Sequence, residues 1–259
     1  MKAGRGGLRH DKTFSRGEKA ALSAGEERRG DWTLEGASKM FTNPQRVVTE
    51  EAKELRKAAG AFLRGVRERQ GLTQHDVGTF AGYRYYTQYS ALEQGTGRVP
   101  PERYASIAAA LGLEPRYFAR KMMRYYDPLT FAAVLDEADI DHKVMVLGEP
   151  LQEPAVVPDI SAEDAKSLRR EAGTLVKTLR EAANLTQADL AEAMDYKFYT
   201  RVSQIERGAG RVPPEEFVAF AEALGVEPKS FVQELLRCYD PVIHYFAFER
   251  SVEAVQGTG

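Results

Sequence analysis

The chain has little of what secreted and membrane-spanning proteins depend on. Its 259 residues include one cysteine, Cys238, which cannot form an internal disulfide and therefore favours a reducing, cytoplasmic setting. No apolar run approaches the ~18 residues that a membrane span needs. Residues 1–30 are rich in charge and lack an apolar core, so they do not resemble a secretory signal. We therefore expect a cytoplasmic protein that has no membrane partner.

Residue patterns for catalysis and metal binding are also missing. The four histidines are widely separated, and with a single cysteine they offer no ligand spacing typical of zinc. The glycines of "GTGR" and "GAGR" follow a helical pattern and not a strand, which excludes P-loop and dinucleotide-binding fingerprints. Cys238 lies among apolar residues without a neighbouring base, and we interpret it as a core thiol. We expect neither enzymatic activity nor a cofactor.

Charge is unevenly distributed along the chain, although the net charge is only −2. Basic side chains outnumber acidic ones in residues 1–48 and again in residues 49–128. Acidic side chains outnumber basic ones in residues 129–161 and, less strongly, in residues 162–241. This asymmetry is compatible with a first half that grips phosphate and a second half that faces a different partner.

The most informative feature that is present is a duplication. The string "YRYYTQYSALEQGTGRVPPE" at residues 83–102 returns as "YKFYTRVSQIERGAGRVPPE" at residues 196–215, an offset of 113 residues. The same offset aligns residues 55–128 with residues 168–241 without a gap, and nearly half of the aligned positions are identical. We predict two copies of one folded unit, each within the usual size range of a domain.

Both copies show the periodicity of amphipathic helices and no strand pattern. The first helix has apolar residues on one face, for example at Leu55, Ala59 and Phe62. Thr73 and Thr186 precede a short second helix as N-caps, each with an aspartate three residues later. A third helix is predicted through "YTQYSALEQ" and "YTRVSQIER", where glycines end it, and proline-led starts follow for a fourth and a fifth. The predicted fold class is all-α, with five helices in each copy.

These signals divide the chain into five segments. A first repeat at residues 49–135 and a second at residues 162–249 are joined by an acidic, proline-containing connector at residues 136–161. A basic tail at residues 1–48 lacks apolar periodicity and is expected to be mostly disordered. A short C-terminal tail at residues 250–259 completes the organisation.

The motifs of the two copies resemble those of the Cro/repressor-type (XRE-like) helix-turn-helix family. The second copy contains Leu185-Thr186-Gln187, Leu190-Ala191, Ser203-Gln204-Ile205-Glu206-Arg207-Gly208 and Leu224-Gly225-Val226, and the first copy keeps Leu72-Thr73-Gln74, Leu92-Glu93, Gly95 and Leu111-Gly112-Leu113. The resemblance covers both repeats. It implies two tandem lambda-repressor-like domains, in which helices two and three form the helix-turn-helix and helix three enters the DNA major groove.

Two departures distinguish the chain from that family. The turn before helix three has one extra residue and is aromatic in both copies. The "GRVPPE" segment is not general to the family, and it indicates a distinct branch of regulators of phage-like or mobile-element gene sets. In the turn, Tyr83 and Tyr196 are expected to fill the core. Tyr86 and Tyr199 are nearer the groove, and stacking on DNA and packing in the core are both open for them.

Helix three is the predicted reading helix. With Val202 and Ile205 buried three residues apart, Thr200, Arg201 and Gln204 face outward. Arginine suits the acceptors of guanine, and glutamine suits adenine. The base-reading candidates over both copies are Thr87, Gln88, Ala91, Tyr199, Thr200, Arg201 and Gln204. The alternative is a solvated helix surface without a role in DNA binding.

Residues around helix three are candidates for binding phosphate. Gln74 and Gln187 begin helix two, and the resemblance implies a phosphate contact there, with hydrogen bonding to helix three as the alternative. Glu93 and Glu206 are expected to hold a local arginine or to cap backbone. The phosphate candidates are Gln74, Arg84, Tyr86, Arg98, Gln187, Lys197 and Arg211.

The resemblance implies a bacterial, nucleoid-associated transcription regulator whose partner is double-stranded DNA. Because the outward residues of the two copies differ, we expect two covalently linked heads that read two non-identical half-sites. Three alternatives stay open. The first repeat binds DNA while the second binds RNA polymerase or a partner regulator, the chain pairs as a homodimer, or it is an antitoxin-like module that binds protein and not DNA.

Overall fold

The computed structural model describes residues 50–140 and 148–249. The predicted tails at residues 1–48 and 250–259 lie outside the described residues, as does the 141–147 part of the predicted connector. Every regular element in the described ranges is a helix, which confirms the all-α fold class.

The first repeat contains the five predicted helices and one more. They are α1 (Glu50–Arg69), α2 (Gln74–Phe80), α3 (Tyr86–Glu93), α4 (Tyr104–Ala110), α5 (Pro115–Tyr126) and α6 (Pro128–Val134). A 3-10 turn, Pro101–Arg103, leads into α4 and uses the predicted proline start.

The second repeat has the same order of helices. They are α7 (Ala162–Ala182), α8 (Gln187–Ala193), α9 (Thr200–Glu206), α10 (Phe217–Ala223), α11 (Pro228–Tyr239) and α12 (Pro241–His244). A 3-10 turn at Pro214–Glu216 precedes α10, and a π-helical turn at Tyr245–Glu249 continues α12. No helix in the two described ranges is both long and apolar enough to cross a bilayer.

Helix boundaries follow from the predicted caps. Thr73 Oγ1 accepts a hydrogen bond from Asp76 N at 3.1 Å, and the Asp76 carboxylate accepts from Thr73 N at 2.8 Å. The same capping box joins Thr186 and Asp189. Each cap satisfies backbone donors at a helix start, a contribution of about 1 kcal/mol. The predicted N-caps are therefore confirmed.

Helix α1 crosses α3 with its backbone almost in contact. A Cβ at Gly60 would lie 2.4 Å from the Glu93 carbonyl oxygen, and a Cβ at Gly173 would lie 2.4 Å from the Glu206 carbonyl oxygen. Only glycine fits at a crossing this close. The two repeats therefore position the third helix on the first in the same way.

The additional helices α6 and α12 were not predicted, and they join the two repeats. Helix α6 contacts its own α5 and also α10, α11 and the 3-10 turn of the second repeat. Reciprocally, α12 and the π-helical turn contact α11 and also α5 and the 3-10 turn of the first repeat. Buried residues of both repeats form one hydrophobic cluster. The last helices of the two repeats are thus exchanged, since each packs on the other repeat.

Polar contacts reinforce this packing. Arg120 on α5 donates from Nε to the Ala247 carbonyl at 3.0 Å and from Nη1 to the Asp139 carbonyl at 2.9 Å. Within the predicted connector, Ile140 is buried, and Gly148 N donates to the Gly112 carbonyl at 2.9 Å. These described parts of the connector pack on the first repeat and do not act as a free tether.

Candidate nucleic-acid interface

A helix-turn-helix unit forms in each repeat from α2 and α3 and from α8 and α9. Tyr89 and Leu92 fix α3 in the core, and Val202 and Ile205 do the same for α9, as expected from their spacing. Helix α3 begins at Tyr86, whereas the equivalent residue Tyr199 is the N-cap of α9. The burial of one face leaves the opposite face of each third helix available to a ligand.

A buried ion pair holds the third helix of the first repeat. Arg67 on α1 meets Glu93 at the end of α3, with Nε to Oε1 at 2.5 Å and Nη2 to Oε2 at 3.0 Å. Arg67 Nη1 also donates to the Leu72 carbonyl, and Gln74 Nε2 donates to Glu93 Oε2 at 2.7 Å. The hydrogen-bonded carboxylate raises the pKa of Arg67. Charge burial is tolerated because both partners have several hydrogen bonds.

The second repeat reproduces this network with Arg180, Glu206 and Gln187. Arg180 Nε lies 2.6 Å from Glu206 Oε1, and Gln187 Nε2 donates to Glu206 Oε2 at 2.7 Å. Both glutamates thus hold an arginine, which is one of the two roles expected for them. Gln74 and Gln187 bond to helix three in the structure, which was the alternative to a phosphate contact.

Sequence reasoning did not identify Arg67 and Arg180 as the partners. The available signal was an arginine at the same position of both copies on a helix that is otherwise apolar on that face.

The outward face of α3 is uncharged. Thr87 and Gln88 are exposed, and Ala91 is half-buried. Gln88 Oε1 accepts a hydrogen bond from Tyr85 N at 3.3 Å, which closes the first turn of the helix. A cation from another element also reaches this turn, since Arg103 lies over the Tyr83 ring at 5.2 Å and donates to the Ala81 carbonyl.

The outward face of α9 is charged, and its arginine is already paired. Thr200, Arg201 and Gln204 are exposed. Arg201 Nη2 lies 3.1 Å from Glu216 Oε1, and its guanidinium lies 4.1 Å from the centre of the Tyr196 ring. The Tyr196 hydroxyl donates to the same glutamate. We call Arg201, Tyr196 and Glu216 the arginine latch.

Arg98 and Arg211, which are phosphate candidates, lie where the two repeats meet. Arg98 contacts Asp127 at 3.5 Å, and Arg211 contacts Asp240 at 3.6 Å. Burial raises the pKa of Asp127 to about 6, an effect that Arg98 opposes and the neighbouring Asp240 adds to. Burial likewise raises the pKa of Asp240. Both arginines are exposed in part, so each can face an anion while holding its aspartate.

The turn before each third helix separates its aromatic residues into inner and outer ones. Tyr83 and Tyr196 are half-buried against the core, and burial raises the pKa of Tyr83 to about 12. The outer rings are strongly exposed, and their exposed fractions are Tyr85 58%, Tyr86 52%, Phe198 62% and Tyr199 56%. The phosphate candidates Arg84 and Lys197 each lie 5.3 Å from the centre of the next ring, Tyr85 or Phe198. Tyr85 and Phe198 were not among the sequence candidates.

Comparison with known proteins gives one result. The family described as "Helix-turn-helix domain" matches twice, at residues 58–118 and at residues 171–232. The matched segments run from α1 into α5 and from α7 into α11. No curated protein and no solved structure gives a significant match.

Proposed function

Because this chain is a tandem pair of Cro/C1-type helix-turn-helix domains, we propose that it is a sequence-specific transcription regulator that reads two non-identical half-sites in double-stranded DNA. The observation that carries the proposal is the exposed face of α3 and of α9, where the two copies differ. Gln88 and Ala91 of the first copy correspond to Arg201 and Gln204 of the second. Helices of this type enter the major groove with their first turns against base edges.

Side-chain chemistry assigns the base contacts. Gln88 and Gln204 each match the paired donor and acceptor of adenine, and Arg201 matches the two acceptors of guanine. Thr87 and Thr200, which the copies share, suit contacts to either base type. Arg84 and Lys197 bring positive charge to the backbone at the start of each third helix, and they make the binding depend on salt.

The reciprocal packing of α6 and α12 supports a pair of heads within one chain. A homodimer related by exact symmetry would present two copies of one reading surface, whereas this chain joins two different ones. We therefore propose that the DNA target is asymmetric. We also propose that the protein acts on the nucleoid in the bacterial cytoplasm, where it regulates a phage-like or mobile-element gene set.

A second candidate follows from the arginine latch. Glu216 neutralises Arg201 and brings a carboxylate beside α9, where a phosphate backbone would repel it. The first repeat has Arg103 at the matching position. In this second version the first repeat supplies most of the DNA affinity, and the acidic second repeat contacts RNA polymerase or a partner regulator.

Selection from a random duplex library with the full chain tests both versions. The full chain is required because each repeat buries its last helix in part against the other. We expect footprinting to show two unlike half-sites. Replacing Gln88 or Arg201 with alanine should cost about 1–3 kcal/mol in the half-site that each one reads.

The outcomes separate the candidates. If Gln88→Ala lowers DNA affinity and Arg201→Ala does not, the result favours the version in which the first repeat supplies most of the DNA affinity. A strictly palindromic site contradicts two different heads in one chain and favours a homodimer. Absence of binding to any duplex at low salt contradicts the regulator and favours a protein-interaction module.

A further inference from the structure

Four of the six strongly exposed large apolar side chains in the described part of the chain belong to the two aromatic turns. They are the neighbours Tyr85 and Tyr86 and their equivalents Phe198 and Tyr199. Single exposed apolar residues are common and need no explanation. Two adjacent exposed rings that recur at matching positions of two repeats do need one. Within the described residues none of these four rings pairs with another ring.

Differences between the copies show which property of the turn is kept. The cation changes from Arg84 to Lys197 and the first ring from Tyr85 to Phe198. Of the base-reading candidates that follow, Gln88 is replaced by Arg201 and Ala91 by Gln204. The shared feature is therefore a cation followed by an apolar ring. A hydroxyl at the first ring is not shared, which excludes hydrogen bonding as the common role of that position.

The site of the rings identifies what an apolar surface would meet. Tyr85 is the N-cap of α3, and Phe198 stands two residues before the start of α9. The first turn of a reading helix lies against base edges in the major groove, where the only apolar group is the C5-methyl of thymine. The adjoining cation suits the phosphate that flanks such a base.

We propose that Tyr85 and Phe198 each bind the methyl group of a thymine, at the same position of the two half-sites. The proposal rests on the proposed DNA-binding function and adds a base that both heads share. The two half-sites should therefore share one thymine, although they differ at the bases that Gln88, Ala91, Arg201 and Gln204 contact. Arg84 and Lys197 hold the adjoining phosphate and bring the ring onto the base.

Deoxyuridine provides the probe, because it differs from thymidine only by the lost methyl. We would replace each thymidine of the selected duplex in turn and measure affinity for the full chain. Replacement at one position in each half-site should weaken binding about fourfold, the value of one buried methyl group. Tyr85→Ser should abolish this sensitivity in one half-site, and Phe198→Ser should abolish it in the other.

Two control variants define the result. Val156→Ser removes an exposed apolar residue that belongs to the connector and to neither turn, and it should retain both sensitivities. Tyr85→Phe keeps the ring and should retain them as well. Sensitivity to deoxyuridine that persists in Tyr85→Ser and Phe198→Ser, or that is absent in the wild-type chain, overturns the proposal.

Other failures are distinguishable from this one. A chain that binds no duplex overturns the DNA-binding function and the thymine contact together. A chain that binds its selected duplex but ignores deoxyuridine overturns the thymine contact alone. If sedimentation shows that the wild type self-associates and that Tyr85→Ser/Phe198→Ser is monomeric with unchanged DNA affinity, the rings are a protein interface and the proposal is wrong.

Discussion

The two repeats are alike where they are buried and different where they are exposed. Each has the same capping box, the same glycine at the helix crossing and the same buried arginine–glutamate pair. Their third helices, in contrast, present Gln88 and Ala91 in one copy and Arg201 and Gln204 in the other. The shared interior therefore sets the position of the third helix, and in the proposed function its exposed residues decide which bases it contacts.

One surface position shows how this difference arises. A cation covers the inner tyrosine of the turn in both copies, Arg103 over Tyr83 and Arg201 over Tyr196. In the first copy the cation comes from the turn that leads into α4, and the outward face of α3 stays uncharged. In the second copy it comes from the reading helix, and Glu216 occupies the place of Arg103. Because the second copy has Glu216 where the first has Arg103, Arg201 on α9 is held in an ion pair.

The shared interior predicts equal losses of stability when the helix crossing is disturbed. Gly60→Ala and Gly173→Ala each force a Cβ against a backbone carbonyl, and each should lower the free energy of unfolding by about 1–3 kcal/mol. Chemical denaturation of the full chain measures the change. The matched control is Gly65→Ala in the same helix α1, where a Cβ meets nothing within 4 Å.

The control should move in the opposite direction. Alanine in a helix is favoured over glycine by about 0.5–1 kcal/mol, so Gly65→Ala should stabilise the protein. Unequal effects of Gly60→Ala and Gly173→Ala would show that the two repeats do not share one interior design.

The different surfaces predict that opening the arginine latch strengthens the second head. Glu216→Gln removes the carboxylate that holds Arg201 and should raise affinity for the second half-site by up to about fivefold, since an exposed ion pair is worth about 1 kcal/mol at most. Gel-shift titrations with single half-site mutants of the duplex measure this gain. Glu222→Gln, an exposed carboxylate on α10, is the control.

If Glu216 acts by holding Arg201, the increase in affinity that Glu216→Gln causes should depend on Arg201. Adding Arg201→Ala to Glu216→Gln should remove the increase. A gain that survives in the double variant would assign the effect to net charge and not to release of the arginine.

The charge cluster where the repeats meet predicts a small dependence of stability on pH. Because the pKa of Asp127 is raised to about 6 in the folded protein, the folded state binds its proton more tightly than the unfolded state does. The stability that comes from this group is present at pH 4 and below and is lost as the pH rises through about 6. Asp127→Asn should remove that loss, so that the melting temperature of the variant at pH 7, relative to its value at pH 4, is higher than that of the wild type.

The control is Asp159→Asn at an exposed position, and it should leave the pH dependence of the melting temperature unchanged. A wild-type difference between pH 4 and pH 7 that Asp127→Asn leaves intact would place the pH dependence elsewhere.

The parts of the molecule that sequence predicted are those governed by local pattern. Helix periodicity, caps and glycine stops located α1 to α5 and α7 to α11, and the three-residue spacing of Val202 and Ile205 identified the buried face of α9. Contacts between distant segments were not predictable in this way. The pairing of Arg201 with Glu216, and the packing of α6 on α11, depend on how the chain returns in three dimensions and leave no periodic signal.

The reciprocal packing of α6 and α12 also bears on how the protein is made. During synthesis the first repeat leaves the ribosome with α6 bare of the helices α10 and α11 that it contacts in the finished protein. Contacts between segments so far apart along the chain form late and slowly. The nascent first repeat must therefore wait for the second before its last helix is covered, and truncation between the repeats leaves that apolar surface open to aggregation.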